Sequence, residues 1–118
     1  MKVKLLTESA SIQKGENGLV ICSPKVFQIG GRRMFVMETG IQVQIPSGYV
    51  GIIKASRKYA KNGFLIHEII DEFYREEIVL PIFNEGMSSR MIVSGEPIAT
   101  LTIVPWRYES CEIAEKGK

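Results

Sequence analysis

A cluster of cationic side chains is the part of this sequence best suited to binding a ligand. Lys54, Arg57, Lys58 and Lys61 place four positive charges within eight residues, with Tyr59 among them. Lysine and arginine bind phosphate oxygens through charge-assisted hydrogen bonds, and an aromatic ring can stack on a nucleobase. The stretch therefore predicts an anion-binding patch in which Tyr59 is free to stack on a base. The alternative is that these charges form the solvated face of a helix.

A second candidate site is the acidic segment that follows. His67, the one histidine of the chain, could act as a general acid or as a ligand, and clustered carboxylates could hold a metal ion. The alternatives are a packed histidine and a solvated acidic face that pairs with neighbouring cations. We predict no metal site here. The carboxylates concerned are Glu68, Asp71, Glu72, Glu76 and Glu77.

The composition excludes several classes of protein. The 118 residues suit one domain, and a net charge of +2 gives no global electrostatic reason to expect DNA or a membrane surface as a partner. Cys22 and Cys111 form no CxxC pair, which argues against a zinc cluster and against a disulfide-stapled secreted scaffold. Free thiols, and apolar runs too short to cross a membrane, favour the cytoplasm.

The elements that must position these side chains are mainly strands. Isoleucine and valine number 25, whereas leucine and alanine number 11, and branching at Cβ favours a pleated surface. Ile41, Val43 and Ile45 alternate with glutamines, which predicts a strand with one wet face. Many short apolar runs separated by turns indicate a jelly roll or a sandwich.

Three segments do not fit a simple strand pattern. Residues 56–62 end at Gly63, a suitable helix C-cap, so we predict a short helix there. Residues 9–17 are polar, which predicts a loop. Residues 68–77 are compatible with a helix and with a strand, and the pattern does not decide between them.

Four short motifs, in order along the chain, resemble those of the trimeric deoxyuridine triphosphatase (dUTPase) family and the related dCTP deaminases. The strings that begin at Thr39 and Ile70 are similar to the family's TGI…IPxGYVG and ID-x-x-YRGEI. Asn84, two residues before Gly86, fits the family's asparagine turn, and the string that begins at Ser94 is similar to RGDRIAQL. The resemblance covers residues 1–104.

The resemblance implies an all-β jelly roll of the β-clip type, with at most one or two short helices, assembled as a homotrimer. It also implies active sites between subunits, where dUTP is hydrolysed to dUMP with Mg²⁺. Asp71 corresponds to the family's water-activating carboxylate and Tyr74 to the tyrosine that packs on the deoxyribose. Ser56 lies in the stretch that corresponds to the phosphate-binding PRSG motif, which extends the candidate ligand site beyond the cationic side chains.

Other motifs differ from the family pattern. Val20 stands where the family has an aspartate that holds a magnesium-bound water, and an aliphatic side chain supplies no oxygen ligand. Lys58 replaces the glycine of PRSG, and Thr100 replaces a phosphate-binding glutamine. The uracil-reading hairpin is shorter than in the family, and residues 105–118 contain no equivalent of the glycine-rich C-terminal arm.

The sequence therefore predicts a non-catalytic or weakly catalytic nucleotide-binding protein, with a β domain over 1–104 and a C-terminal tail over 105–118. The ligand is a nucleotide or a nucleotide-derived signal held at subunit interfaces, as in a phage-type sequestering protein, and no cofactor is predicted for binding. One alternative is a divergent dUTP diphosphatase that uses Asp71 as base and requires Mg²⁺. Another is a protein-interaction module that binds a regulatory protein.

Overall fold

Eleven strands and one short helix make up the part of the chain that the computed structural model describes, which is residues 1–107, 110 and 112–114. Cys111 and half of the predicted tail over 105–118 lie outside the described residues. The elements are β1 Lys2–Leu5, β2 Ser11–Gly15, β3 Gly18–Cys22, β4 Phe27–Ile29, β5 Met34–Glu38, β6 Ile41–Gln44, β7 Tyr49–Ala55, α1 Arg57–Lys61, β8 Phe64–Ile70, β9 Val79–Asn84, β10 Arg90–Ile92 and β11 Pro97–Pro105.

The strands form one large antiparallel sheet and two small ribbons. The large sheet has the order β2-β3-β11-β7-β8-β9-β5, and the ribbons are β1–β6 and β4–β10. Strand β11 joins β3 to β7, although the three elements are far apart in sequence. This arrangement confirms the predicted all-β class with a single short helix in the described part of the chain.

The core lies against one face of the large sheet and is almost entirely aliphatic. Ile53 and Leu101 face each other across β7 and β11, and both are fully buried. Ile41, Val43 and Ile45 are at most 2% exposed, which confirms the strand predicted from their alternation. Alternation leaves the neighbouring side chains of each strand on the opposite face, where the candidate site lies.

The structure decides two of the predictions, the short helix over residues 56–62 and the segment 68–77, which was compatible with a helix and with a strand. Helix α1 follows Ser56 at its N-cap, and Gly63 has a φ of +86°, so the predicted helix and its glycine stop are confirmed. Strand β8 extends through Ile70, and the rest of the ambiguous segment forms turns. At five residues, α1 is far shorter than a membrane span, and no described helix could cross a bilayer.

The prediction of a loop over residues 9–17 is wrong. Strand β2 occupies much of this segment and forms a hairpin with β3. It is an edge strand whose side chains are half-buried or exposed, so a polar sequence is compatible with it. Gly18 closes the hairpin at a φ of +143°, where a Cβ would lie 2.2 Å from the carbonyl oxygen of Leu101.

Candidate functional site

Strand register brings together three positions that are distant in sequence. Thr100 of β11 is paired with Val20 of β3 on one side and with Lys54 of β7 on the other. Directly opposed residues of antiparallel strands have Cβ atoms about 4.5–5.5 Å apart on the same face of the sheet. Val20 therefore lies in one row with the Thr100 hydroxyl and the Lys54 ammonium group.

An open groove of about 480 Å³ lies along this row, and we call it the phosphate groove. Lys54 and Arg57 give it two exposed positive charges, and none of its lining residues carries a carboxylate. Such a groove attracts anions, and it offers no carboxylate ligand to Mg²⁺. The lining residues are Asn17, Ile52, Lys54, Ala55, Ser56, Arg57, Thr100 and Thr102.

The start of helix α1 is fixed against the beginning of β11. The backbone N–H of Ser56 donates a hydrogen bond to the Ile98 carbonyl at 2.8 Å, and its hydroxyl donates to the Pro97 carbonyl at 3.1 Å. On the opposite side of the groove, the Thr102 hydroxyl donates to the Asn17 carbonyl at 2.8 Å. These bonds hold both walls of the groove in place before any ligand arrives.

The predicted stacking role of Tyr59 needs correction. Its side chain is 4% exposed, and its ring meets that of Phe64 edge-on with centroids 5.5 Å apart. The Tyr59 hydroxyl donates a hydrogen bond to the Glu96 carboxylate. Burial raises the pKa of Tyr59, and the bond to Glu96 raises it further. Tyr59 therefore joins the helix to the core and presents no ring face to a ligand.

The remaining cations of the basic stretch lie outside the phosphate groove. The Lys58 ammonium forms an ion pair with the Glu96 carboxylate at 3.0 Å. Hydrogen bonds from Tyr59 and Lys58 lower the pKa of Glu96. Lys61 is exposed at the end of α1 and does not line the groove. The structure thus brings Lys54, Ser56 and Arg57 together and separates them from Lys58 and Lys61.

Asp71 and Tyr74 lie on the turn that follows β8. Asp71 is exposed, and its carboxylate accepts a hydrogen bond from the Phe73 backbone N–H at 2.9 Å. Tyr74 is half-buried against the core, and its hydroxyl donates to the Glu77 carbonyl at 2.6 Å. Burial raises the pKa of Tyr74, and nearby carboxylates, of which Glu76 has the largest effect, add to the rise.

In one protomer, Asp71 and Tyr74 are not among the residues that line the phosphate groove. Lys54 is paired with His67, and Asp71 lies four residues beyond His67 along the chain. At about 3.3 Å per residue, the turn begins about 13 Å from the Lys54 row. Among the described residues, no three His, Cys, Asp or Glu side chains form a group that could hold a metal ion.

Comparison with known proteins identifies the family. The family model described as dUTPase matches residues 8–117. The chain belongs to the dUTPase family. A deoxyuridine 5'-triphosphate nucleotidohydrolase from Hydrogenobaculum sp. (strain Y04AAS1) is 32% identical over 112 residues, which cover 87% of this chain and 78% of that dUTPase. The Pol polyprotein of equine infectious anemia virus (strain Wyoming) is 28% identical over 102 residues; the match covers 86% of this chain and 9% of the polyprotein.

Solved dUTPase structures confirm the jelly-roll fold. The dUTPase of Staphylococcus bacteriophage 80alpha superposes with a TM-score of 0.85 at 24% identity, covering 99% of this chain and 97% of the phage chain. A mutant dUTPase of phage phi11 of S. aureus, studied for its coordination of a structural Mg(II) ion, has a TM-score of 0.86 at 21% identity, covering 98% and 96%. At these identities the likeness concerns the fold.

Sequence reasoning missed four residues of the phosphate groove, which are Asn17, Ile52, Ala55 and Thr102. Asn17 lies in the segment that was predicted as a loop, and the hairpin that carries it places it at the groove. Thr102 is two residues from Thr100 on β11, so the period of two along a strand was a usable signal for it. Ile52 stands in the same relation to Lys54 on β7.

Proposed function

We propose that this protein binds the phosphate groups of a nucleotide in the phosphate groove and hydrolyses the nucleotide weakly or not at all. The observation that carries this proposal is the row formed by Val20, Thr100 and Lys54. An ammonium and a hydroxyl can bind phosphate oxygens, whereas valine cannot hold the water shell of a metal ion. Membership of the dUTPase family supports a nucleotide as the ligand.

We further propose that the protein acts as a homotrimer. Asp71 and Tyr74 do not line the groove of their own protomer, and a neighbouring subunit would bring them to it. The outer face of the sheet supports assembly, because Met34, Val36 and Ile69 are 62%, 53% and 56% exposed there. Exposed apolar side chains on one sheet face are typical of protein interfaces.

A thermal-shift panel tests the proposed binding. A nucleotide present at 100 times its dissociation constant should stabilise the folded protein by about 2.7 kcal/mol, because it binds the native state alone. The panel contains the four deoxynucleoside triphosphates, cyclic dinucleotides and the matching nucleosides, which lack phosphate. The melting temperature should rise with the phosphorylated ligands and not with the nucleosides.

The same panel can contradict the proposal. If no nucleotide raises the melting temperature, the phosphate groove is not a nucleotide site, and a protein-interaction role on the same scaffold is favoured. Mass measurement in solution tests the trimer independently. A monomer at micromolar concentration would contradict the shared site.

The second candidate is a divergent dUTP diphosphatase, and the exposed carboxylate of Asp71 favours it together with the family. In that case Asp71→Asn should abolish the release of pyrophosphate from dUTP in the presence of Mg²⁺, because an amide cannot accept the proton of an attacking water. Nucleotide affinity, measured by calorimetry, should stay unchanged. Glu72→Gln is the matched control, since it removes the neighbouring carboxylate, and it should retain turnover. Rapid pyrophosphate release by the unmodified protein would contradict the non-catalytic proposal.

The cellular setting that we propose follows from the same properties. The protein acts in the cytoplasm and needs no cofactor for binding, while Mg²⁺ is required if dUTP is hydrolysed. A binding protein without turnover would sequester a nucleotide-derived signal, as a phage-encoded protein acting against bacterial defence would do.

A further inference from the structure

The carboxylate of Glu96 lies where helix α1 meets the start of β11, and it accepts two hydrogen bonds from the helix. The donors are the Tyr59 hydroxyl and the Lys58 ammonium, the latter at 3.0 Å. Tyr59 is buried and Glu96 is 29% exposed, whereas Lys58 is 64% exposed. Exposed ion pairs contribute little, so the partly shielded bond from Tyr59 is the stronger of the two attachments.

Helix α1 depends on such attachments because it is short. It has five residues, and the Ser56 hydroxyl at its N-cap is bonded outside the helix, to the Pro97 carbonyl. Isolated helices of fewer than about 12–15 residues are marginal in water. Tertiary contacts therefore set the position of α1.

Arg57 lies between two anchored points of the chain. Before it, Ser56 is bonded to the first two residues of β11. After it, Lys58 and Tyr59 are bonded to Glu96, the residue that precedes β11. Arg57 itself is exposed and lines the phosphate groove, so its guanidinium is carried by a backbone that is fixed on both sides.

The backbone at Glu96 is itself held in place. Its carbonyl accepts a hydrogen bond from the Ser23 N–H at 2.9 Å, and its N–H donates to the Val93 carbonyl at 3.2 Å. Strand β11, which begins at the next residue, carries Thr100 and Thr102 of the phosphate groove. Glu96 thus fixes the helix with respect to the strand that carries these two hydroxyl groups.

One of the two attachments depends on a residue at which this chain departs from the family pattern. Lys58 replaces the glycine of PRSG, and a glycine has no side chain that could bond to Glu96. The contact between α1 and Glu96 is therefore in part a property of this chain.

We propose that Glu96 is a positioning residue of the phosphate groove, which fixes helix α1 so that the Arg57 guanidinium reaches the phosphates bound beside Lys54. Glu96 does not line the groove, so its effect passes through Arg57. This inference rests on the proposed function, because it assumes that phosphates occupy the groove.

Calorimetric titration of the full chain with inorganic tripolyphosphate tests this role, because the probe carries phosphates without a base. Arg57→Ala should weaken binding about tenfold, since a charge-assisted hydrogen bond is lost, and Glu96→Ala about fivefold. The double variant should bind no more weakly than Arg57→Ala alone, because the effects of residues that act through one another do not add. Glu96→Gln should bind within about twofold of the unmodified protein, because the glutamine oxygen still accepts the bond from Tyr59.

Two comparisons separate the attachment from charge. Glu96→Ala and Glu96→Gln change the net charge equally, so the difference between them measures the attachment alone. Glu8→Ala is the matched control, because it removes an exposed carboxylate that does not line the groove. It should change the affinity less than about twofold, as expected for an exposed charge.

The outcomes distinguish this inference from the proposed function. If the unmodified protein does not bind tripolyphosphate, both are contradicted. If it binds the probe, but Glu96→Ala binds equally well or the two losses add in the double variant, Glu96 does not position Arg57 and phosphate binding stands.

Circular dichroism without ligand checks that each variant is folded. Tyr59→Phe is the second variant in case Glu96→Ala does not fold, because it removes the stronger attachment and keeps the charge and the ring. It should weaken binding about threefold, and only while Arg57 is present. Unchanged binding by a folded Tyr59→Phe would overturn the inference.

Discussion

Asn84→Ala should lower the free energy of unfolding by about 3 kcal/mol, because three carbonyl groups, which are buried or part-buried at these bonds, lose their partner at once. Asn84 is fully buried at the end of β9. Its amide nitrogen donates to the carbonyls of Ile29, Gly30 and Ser88 at 3.1, 3.2 and 2.9 Å, and its amide oxygen accepts from the Gly86 N–H at 3.0 Å. Alanine cannot replace any of these bonds, and a buried polar group without a partner costs about 1–3 kcal/mol.

Urea unfolding followed by circular dichroism measures the loss. Asn62→Ala is the matched control, because the Asn62 amide makes one bond, to the Lys58 carbonyl, and is exposed to water. It should cost less than about 1 kcal/mol. Equal losses for the two variants would show that the asparagine turn at Asn84 contributes no more than an ordinary surface bond.

The family resemblance implied the asparagine turn, and most strands could be predicted from the sequence because their signals are local. Asn84 and Gly86 are two residues apart, and the alternation in β6 is complete within five residues. The burial of Tyr59 could not be predicted from local signals. Its burial depends on Phe64 and on Glu96, which is 37 residues away, and neither contact appears in the pattern of charges around it.

Only the part of the candidate site whose residues are close in sequence was predicted. Lys54, Ser56 and Arg57 are close in sequence and reach the same groove. The opposite wall comes from the β2–β3 hairpin, more than 30 residues earlier, and from β11, more than 40 residues later. Only the pairing of β11 with both β3 and β7 brings these walls together, and a polar edge strand such as β2 gives no hydrophobic alternation from which to predict it.

Lys54→Glu should weaken nucleotide binding about 100-fold, the largest functional effect that we expect from one substitution. Lys54 lines the phosphate groove, and it is exposed on β7 between Thr100 and His67. The change removes a charge-assisted hydrogen bond to phosphate, worth about 1.5–3 kcal/mol, and adds repulsion by a carboxylate. A loss of about 2.7 kcal/mol corresponds to a factor of 100 in the dissociation constant.

Lys61→Glu provides the matched control, because it makes the same change of charge on an exposed residue that does not line the phosphate groove. Calorimetry should show that this control weakens binding less than about threefold, since Lys61 makes no contact in the groove and salt screens exposed charges. Neither substitution should change the free energy of unfolding without ligand by more than about 0.5 kcal/mol. If both variants weaken binding equally, the general field of the basic stretch attracts the ligand and Lys54 makes no direct contact. A 100-fold loss confined to Lys54→Glu, in contrast, requires that the phosphates lie against β7.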